Sequence, residues 1–170
     1  MFFRWCLILC LCQGVVFFLP HCTTSKKGLE SAPDFTLKSI DGEEITLSRL
    51  RGKIVFIDFW ATWCAPCRES IPHLVHLYKK YSEKGFEIIG VSVDKKGVDP
   101  VRRFAKSLDI PYPIVMAPAD LDKQYGVSAL PTGFLIDKEG RIQEKFVGFS
   151  PKISDELDSR ISALTSQNPQ

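Results

Sequence analysis

Cys64 and Cys67 stand two residues apart in the run Trp63-Cys64-Ala65-Pro66-Cys67, and they are the residues best suited to do chemistry. Two thiols at this spacing can close a small disulfide ring and reopen it. Pro66, just before the second Cys, suits a turn that runs into a helix N-terminus. There, unpaired backbone N–H groups and the helix dipole favour a thiolate. A free thiol titrates near ~8.5, and such a site can bring it down to about 3.5–7.5. Cys64, expected at the exposed tip of the loop, would be the nucleophile. Cys67, one turn further in and more buried, would resolve the mixed disulfide. Two other uses of the pair compete, a structural disulfide and half a zinc site. Zinc normally needs a second ligand pair, and the candidates, His73 and His76, lie on the helix that carries them away from the Cys loop. No metal is expected. Haem attachment would require His after the second Cys, and that residue is Arg68.

Four further features surround the pair. Asp58 interrupts the apolar run Ile54-Val55-Phe56-Ile57-Asp58-Phe59-Trp60. If buried there, its carboxyl has a raised pKa and can take the proton from Cys67. If turned outward or hydrogen-bonded, it does neither. Leu130-Pro131 enters a strand, which is either a rigid turn beside the site or ordinary strand punctuation. Trp60 and Trp63 flank the loop, as packing against the site or as plain core and surface aromatics. Arg68 either adds positive potential or is simply solvated.

The elements that must position these residues follow from patterning. Phe35–Leu37 and Ile45–Leu47 flank the turn signal Asp41-Gly42 and read as a hairpin. Ser48 to Arg51 reads as one helical turn. Residues 54–60 and Phe86–Val93 read as buried central strands. Between them a helical pattern passes through Leu74, Leu77, Tyr78 and Tyr81 and ends near Gly85, and Pro72 should kink it. Asp99-Pro100 opens a second helix with Val101, Phe104, Ala105 and Leu108 on its apolar face. Ile114–Met116 is a short strand and Leu121–Tyr125 a brief helix. Thr132–Ile136 and Ile142–Val147 form a hairpin, and a last helix from Ser150 carries Ile153, Leu157, Ile161 and Leu164. The alternating half implies a parallel pair joined by a crossover helix, to which the last strands add antiparallel partners. A CxxC beside a βαβ pattern points to thioredoxin-like redox chemistry.

The chain has 170 residues and a net charge of +2, enough for one domain and too little charge to argue for nucleic acid. Four of the six cysteines, at 6, 10, 12 and 22, lie near the start. That leaves the body one closely spaced pair, a functional dithiol rather than a structural framework. Arg4 followed by the uncharged, mostly apolar stretch Trp5–Leu19 has the length of an export signal core. Residues 1–25 are therefore expected to be a cleaved signal peptide, a membrane anchor or a lipoprotein leader. Leu19-Pro20-His21-Cys22 partly matches a lipidation site, with Cys22 the acceptor. Residues 26–31 would be a tether, 32–165 the domain and 166–170 a tail.

The run from Phe56 to Cys67 resembles the active-site strand and loop of thioredoxins. Pro72 matches the family's helix proline and Pro131 its cis-proline. Ala32-Pro33-Asp34-Phe35, the Asp41-Gly42 hairpin and the extra segment around Pro100 to Met116 resemble the TlpA/ResA/DsbE-like branch, and the likeness covers about Ser31 to Leu164. It implies a thioredoxin-like α/β fold, a central mixed sheet flanked by helices, with an N-terminal β-hairpin and an internal insertion. It implies an extracytoplasmic, membrane-tethered thiol–disulfide oxidoreductase with Cys64 as nucleophile, Cys67 resolving and Asp58 as the buried acid. Pro131, with Leu130, Trp63, Ala65 and Pro66, would shape the substrate surface. The cofactor would be only the redox-active Cys64–Cys67 disulfide. Partners would be protein thiols and disulfides, including apocytochrome c, and a membrane thiol electron donor, with the protein itself a monomer. Some members of the branch carry an acidic residue in or near the CxxC; here the interior pair is Ala65-Pro66. Two other activities belong to related folds. Peroxiredoxins place Thr three residues before the peroxidatic Cys, where this chain has Ala61 before Cys64. Copper delivery would want a distal His, and no His follows His76. A non-enzymatic binding module is the remaining class.

Overall fold

A computed structural model describes residues 30–166. The expected export segment, the Cys22 lipidation site and the last four residues lie outside the described residues. Among the described residues, no helix is long and apolar enough to cross a membrane.

The apolar run behind the CxxC forms β3 (Ile54–Trp60), and all seven of its residues are buried. A strand covered on both faces must sit in the middle of its sheet. The five-stranded sheet has the order β5-β4-β3-β6-β7. β4 (Phe86–Ser92) runs parallel to β3, and β6 (Thr132–Ile136) antiparallel on its other side. β7 (Ile142–Val147) closes the hairpin with β6, and β5 (Ile114–Met116) adds a parallel edge beside β4. The parallel pair β3 and β4 is joined by the crossover helix α1 (Ala65–Tyr81), as a parallel connection requires. The short hairpin β1 (Thr36–Lys38) and β2 (Glu44–Thr46) forms its own two-stranded sheet. It is pinned to the edge of the main sheet by a bridge between Ser39 and Val115 and by Ile40 N–H donating to the Ile114 carbonyl at 2.8 Å.

Alternation along β3 sorts its side chains into two cores. Ile54, Phe56 and Trp60 face α1, α2 (Val98–Ser107) and α4 (Pro151–Ser166), through Ile71, Leu74, Val101, Leu157 and Ile161. Val55, Ile57 and Phe59 face the hairpin side, with Phe35, Leu47 and the short α3 (Leu121–Gln124), from which Leu121 packs inward. α4 starts where Ser150 Oγ accepts from Ile153 N–H at 3.3 Å, a cap for an otherwise unpaired donor. Pro72 lies on the exposed side of α1, which continues beyond it to Tyr81. A left-handed Gly85, at φ 81°, then turns the chain into β4.

Asp58 falls on the face of Phe56 and Trp60, and its two cross-strand neighbours are both glycine, Gly90 on β4 and Gly133 on β6. Neither could carry a side chain easily. A Cβ on Gly133 would lie 2.1 Å from the Phe56 ring, and one on Gly90 would lie 3.1 Å from Trp60 Nε1. The aromatic rings therefore lean over bare backbone on either side of the carboxyl.

Candidate active site

Cys64 is the N-cap residue of α1, in extended conformation, with Pro66 in the first helical turn. Its Sγ accepts from Cys67 N–H at 3.3 Å, so one of the helix's unpaired donors points at the sulfur. Cys64 and Cys67 form a disulfide, with an S–S distance of 2.02 Å. When the bond is reduced, the same N–H and the dipole of a 17-residue helix favour the Cys64 thiolate over the thiol.

The sequence placed Cys64 at an exposed tip, and here the structure corrects it. Cys64 is only 6% exposed, against 0% for Cys67. Its side chain turns back onto the helix end and is bonded to Cys67, so the loop surface is made by its neighbours. Trp63, 69% exposed, together with Ala65 and Pro66, forms the projecting rim. Trp60, by contrast, is fully core. The cis peptide bond precedes Pro131. β6 begins next to it, with Thr132 opposite Phe59, so Leu130 and Pro131 stand beside the end of β3 from which the Cys loop departs. Pro131 is buried and Leu130 packs against the core that contains both cysteines.

Asp58 is 2% exposed, and its Oδ2 has no hydrogen-bond partner among the described residues. Desolvation raises its pKa to about 7. It lines a cavity between α1, α4 and β6 together with Ser70, His73 and Pro131. The burial of Tyr112 pushes its hydroxyl pKa up, and the charge of Asp58 adds to that. Since Cys67 and the flanking Phe56 and Trp60 belong to one core, Asp58 and Cys67 lie on the same face of the sheet. His73 turns toward α4, with Nδ1 3.4 Å from Ser154 Oγ and its ring against Phe149. Among the described residues, no cluster of His, Cys, Asp or Glu has the geometry of a metal site.

Sequence reasoning missed Asp94. It lies just past β4, 8% exposed. One carboxylate oxygen accepts from Thr62 N–H at 2.9 Å and the other from Thr62 Oγ1 at 2.6 Å, while Ser92 Oγ adds a third bond at 2.8 Å. This clasp holds the Cys loop to the end of β4. The available signal was a carboxylate at the carboxyl end of a buried parallel strand, where sites in such sheets gather. Asp94→Ala leaves the Thr62 donors without their charged acceptor. It is expected to cost roughly 3 kcal/mol in urea unfolding, and to lower disulfide reduction more than a surface alanine substitution does. A midpoint within a few tenths of wild type would show that the clasp does not hold the loop.

A helix-capping dithiol at the end of a central strand, with a cis-proline beside it, defines the class as a thiol–disulfide oxidoreductase of thioredoxin-like fold. The AhpC/TSA family model matches residues 29–145, and the chain belongs to that family. Its relatives give the particular branch. The thiol-disulfide oxidoreductase ResA of Bacillus cereus is 36% identical over 168 residues, covering 96% of this chain and 95% of that protein. A structure described as a thiol:disulfide interchange protein DsbE of Chlorobium tepidum superposes with a TM-score of 0.76 at 35% identity, over 81% of this chain and 96% of that one. The exposed lipoprotein thioredoxin Etrx1 of Streptococcus pneumoniae does so at 0.67 and 29%, over 78% and 100%. The protein is a thiol–disulfide oxidoreductase of the ResA/DsbE type.

Proposed function

We propose that the protein works outside the cytoplasm as a reductant of protein disulfides, with Cys64 as the attacking and Cys67 as the resolving sulfur. The observation that carries this is the disulfide at the N-cap of α1, with the unpartnered Asp58 carboxyl buried on the Cys67 side of the sheet. In the reduced protein the Cys64 thiolate attacks a substrate disulfide. A Cys64–substrate S–S bond forms, the substrate S–S bond breaks, and one substrate thiolate leaves. Cys67 then gives its proton to Asp58 and attacks Cys64 Sγ. The second substrate thiolate leaves, the Cys64–Cys67 disulfide forms, and two electrons have passed to the substrate. Trp63, Ala65, Pro66, Leu130 and Pro131 form the surface on which the substrate chain lies.

The location rests on three supports: the apolar segment Trp5–Leu19, the single dithiol in the body and the likeness to an exposed lipoprotein thioredoxin. The N-terminal segment or lipid on Cys22 would tether the domain, and a membrane thiol protein would recharge it. Substrates of this kind include apocytochrome c awaiting haem and other exported proteins with open or misjoined thiols. Cys67→Ser, expressed with its own N-terminus, tests the assignment. It should hold substrates on Cys64 as mixed disulfides that survive non-reducing gels and release with dithiothreitol. The captured chains, exported cytochromes or other thiol proteins, identify the pathway. Recovery of cytoplasmic proteins alone, or of none, would contradict the reading.

A further inference from the structure

The cations of this chain are not evenly spread. Lys95 to Lys106 holds Lys95, Lys96, Arg102, Arg103 and Lys106 against one carboxylate, Asp99. The chain as a whole carries only +2, so the remainder is net negative. Lys95, Lys96, Arg103 and Lys106 are exposed. None of the four is in an ion pair among the described residues; Arg102 alone of the five is engaged, with Asp99 and with the Ile40 carbonyl. Lys38 of β1 joins Arg102 and Lys106 along one open cleft between α2 and the hairpin, where Asp41 is the one carboxylate in the lining.

This basic segment is fastened to the redox loop at two points. Lys95 and Lys96 directly follow Asp94, whose carboxylate holds Thr62 two residues before Cys64. On α2 itself, Phe104 packs on Trp60 with ring centroids 5.5 Å apart, and the Arg68 guanidinium lies 5.6 Å over the Phe104 ring. Trp60 ends β3 and Arg68 follows Cys67, so α2 touches both sides of the CxxC. A field set up here acts on whatever approaches Cys64.

We infer that the α2 face is a cationic docking surface for a carboxylate-rich segment flanking the cystine of the protein substrate. Unpaired surface cations beside a reactive group raise the local concentration of an anionic partner and its association rate by about 10–1000-fold, and salt weakens the effect. A membrane surface would be served by cations anywhere on the domain. Cations tied to the Cys64 loop instead favour the partner that must reach Cys64. The substrate class rests on the exchange chemistry proposed above.

Two synthetic cystine peptides of equal length, one flanked by glutamates and one by serines, test this with the full chain. At low ionic strength, kcat/KM for the acidic peptide should exceed that for the neutral one by at least about 10-fold and converge with it as NaCl is raised. The variant K95E/K96E/R103E/K106E should lose the preference while reducing the neutral peptide at the wild-type rate, which also reports an intact fold. The acidic peptide with alkylated cysteines, followed by fluorescence anisotropy, should bind wild type about 10-fold more tightly than the variant. That readout needs no turnover, so retained binding without reduction would overturn the exchange chemistry and leave the docking surface standing. Measurable and equal kcat/KM for both peptides in wild type, or a preference that survives in the variant, would overturn the docking surface. So would charge-dependent binding to phosphatidylglycerol vesicles without any peptide preference.

Discussion

Cys64→Ser is expected to reduce insulin no faster than dithiothreitol alone, a loss of at least about 1000-fold, as removal of the nucleophile from a catalytic unit produces. The size of the effect follows from the position of the sulfur. Cys64 Sγ is where the helix end aims a backbone N–H, and a serine hydroxyl there has a far higher pKa and no capacity for disulfide exchange. The substitution also keeps a side-chain oxygen at the N-cap, a residue type favoured there, so the helix retains its cap. Loss of activity should therefore come without loss of the fold, with urea midpoints close to those of the reduced wild type. Near-equal turnover in wild type and variant would place the chemistry elsewhere.

Asp58→Asn should raise stability at neutral pH and slow the second half of the reaction. The Asp58 carboxyl titrates at about 7 in the folded protein, against 3.8 in its ordinary state. The folded state therefore holds this proton more tightly than the unfolded state does. Below about pH 4 both forms are protonated and the group has no effect. As pH rises through the window from about 4 to 7, the unfolded chain releases the proton first and the folded state loses ground. Above pH 7 the deficit is complete, on the order of 4 kcal/mol. Asparagine cannot ionise and removes the penalty. Its stability advantage should be near zero at pH 4 and reach roughly 3–4 kcal/mol by pH 8, about 10 °C in Tm. An advantage that does not change with pH would show that Asp58 is not a buried titrating acid. With Asp58 the proposed acceptor of the Cys67 proton, resolution of the mixed disulfide in the same variant should slow by about 100-fold or more. The inflection of that rate near pH 7 should disappear. A buried carboxylate that destabilises its own fold is understandable where the group works.

Much of this architecture is legible in the sequence. The almost continuous apolar run at β3 reads as a buried central strand. The CxxC behind it, with Pro66, forecast a helix N-terminus, and the hairpin at Asp41-Gly42 announced itself by turn chemistry. Asp58 was conspicuous as one carboxyl among apolar neighbours, and the structure decides its orientation: inward, without a hydrogen-bond partner among the described residues. What escaped depends on tertiary geometry. That Gly90 and Gly133 flank Asp58 follows from register across two strand pairs. The short strand β5 gave no sign of joining β4 as an edge. The burial of Cys64 depends on a side chain turning back on its own helix. The Asp94 clasp joins residues 32 positions apart, a contact no local pattern contains. The place of the basic run from Lys95 to Lys106 beside the redox loop rests on the packing of Phe104 against Trp60 and Arg68.

The two sulfurs divide the labour in the proposed exchange, Cys64 attacking and Cys67 resolving. The most direct test incubates reduced Cys67→Ser and reduced Cys64→Ser, each purified, with one oxidised cystine peptide and maps the adduct by mass spectrometry. A stable one-to-one mixed disulfide is expected on Cys64 of Cys67→Ser, with no accumulating adduct on Cys67 of Cys64→Ser, where that sulfur is fully buried. An adduct that forms as readily on Cys67 of Cys64→Ser, or none in either protein, would contradict this division.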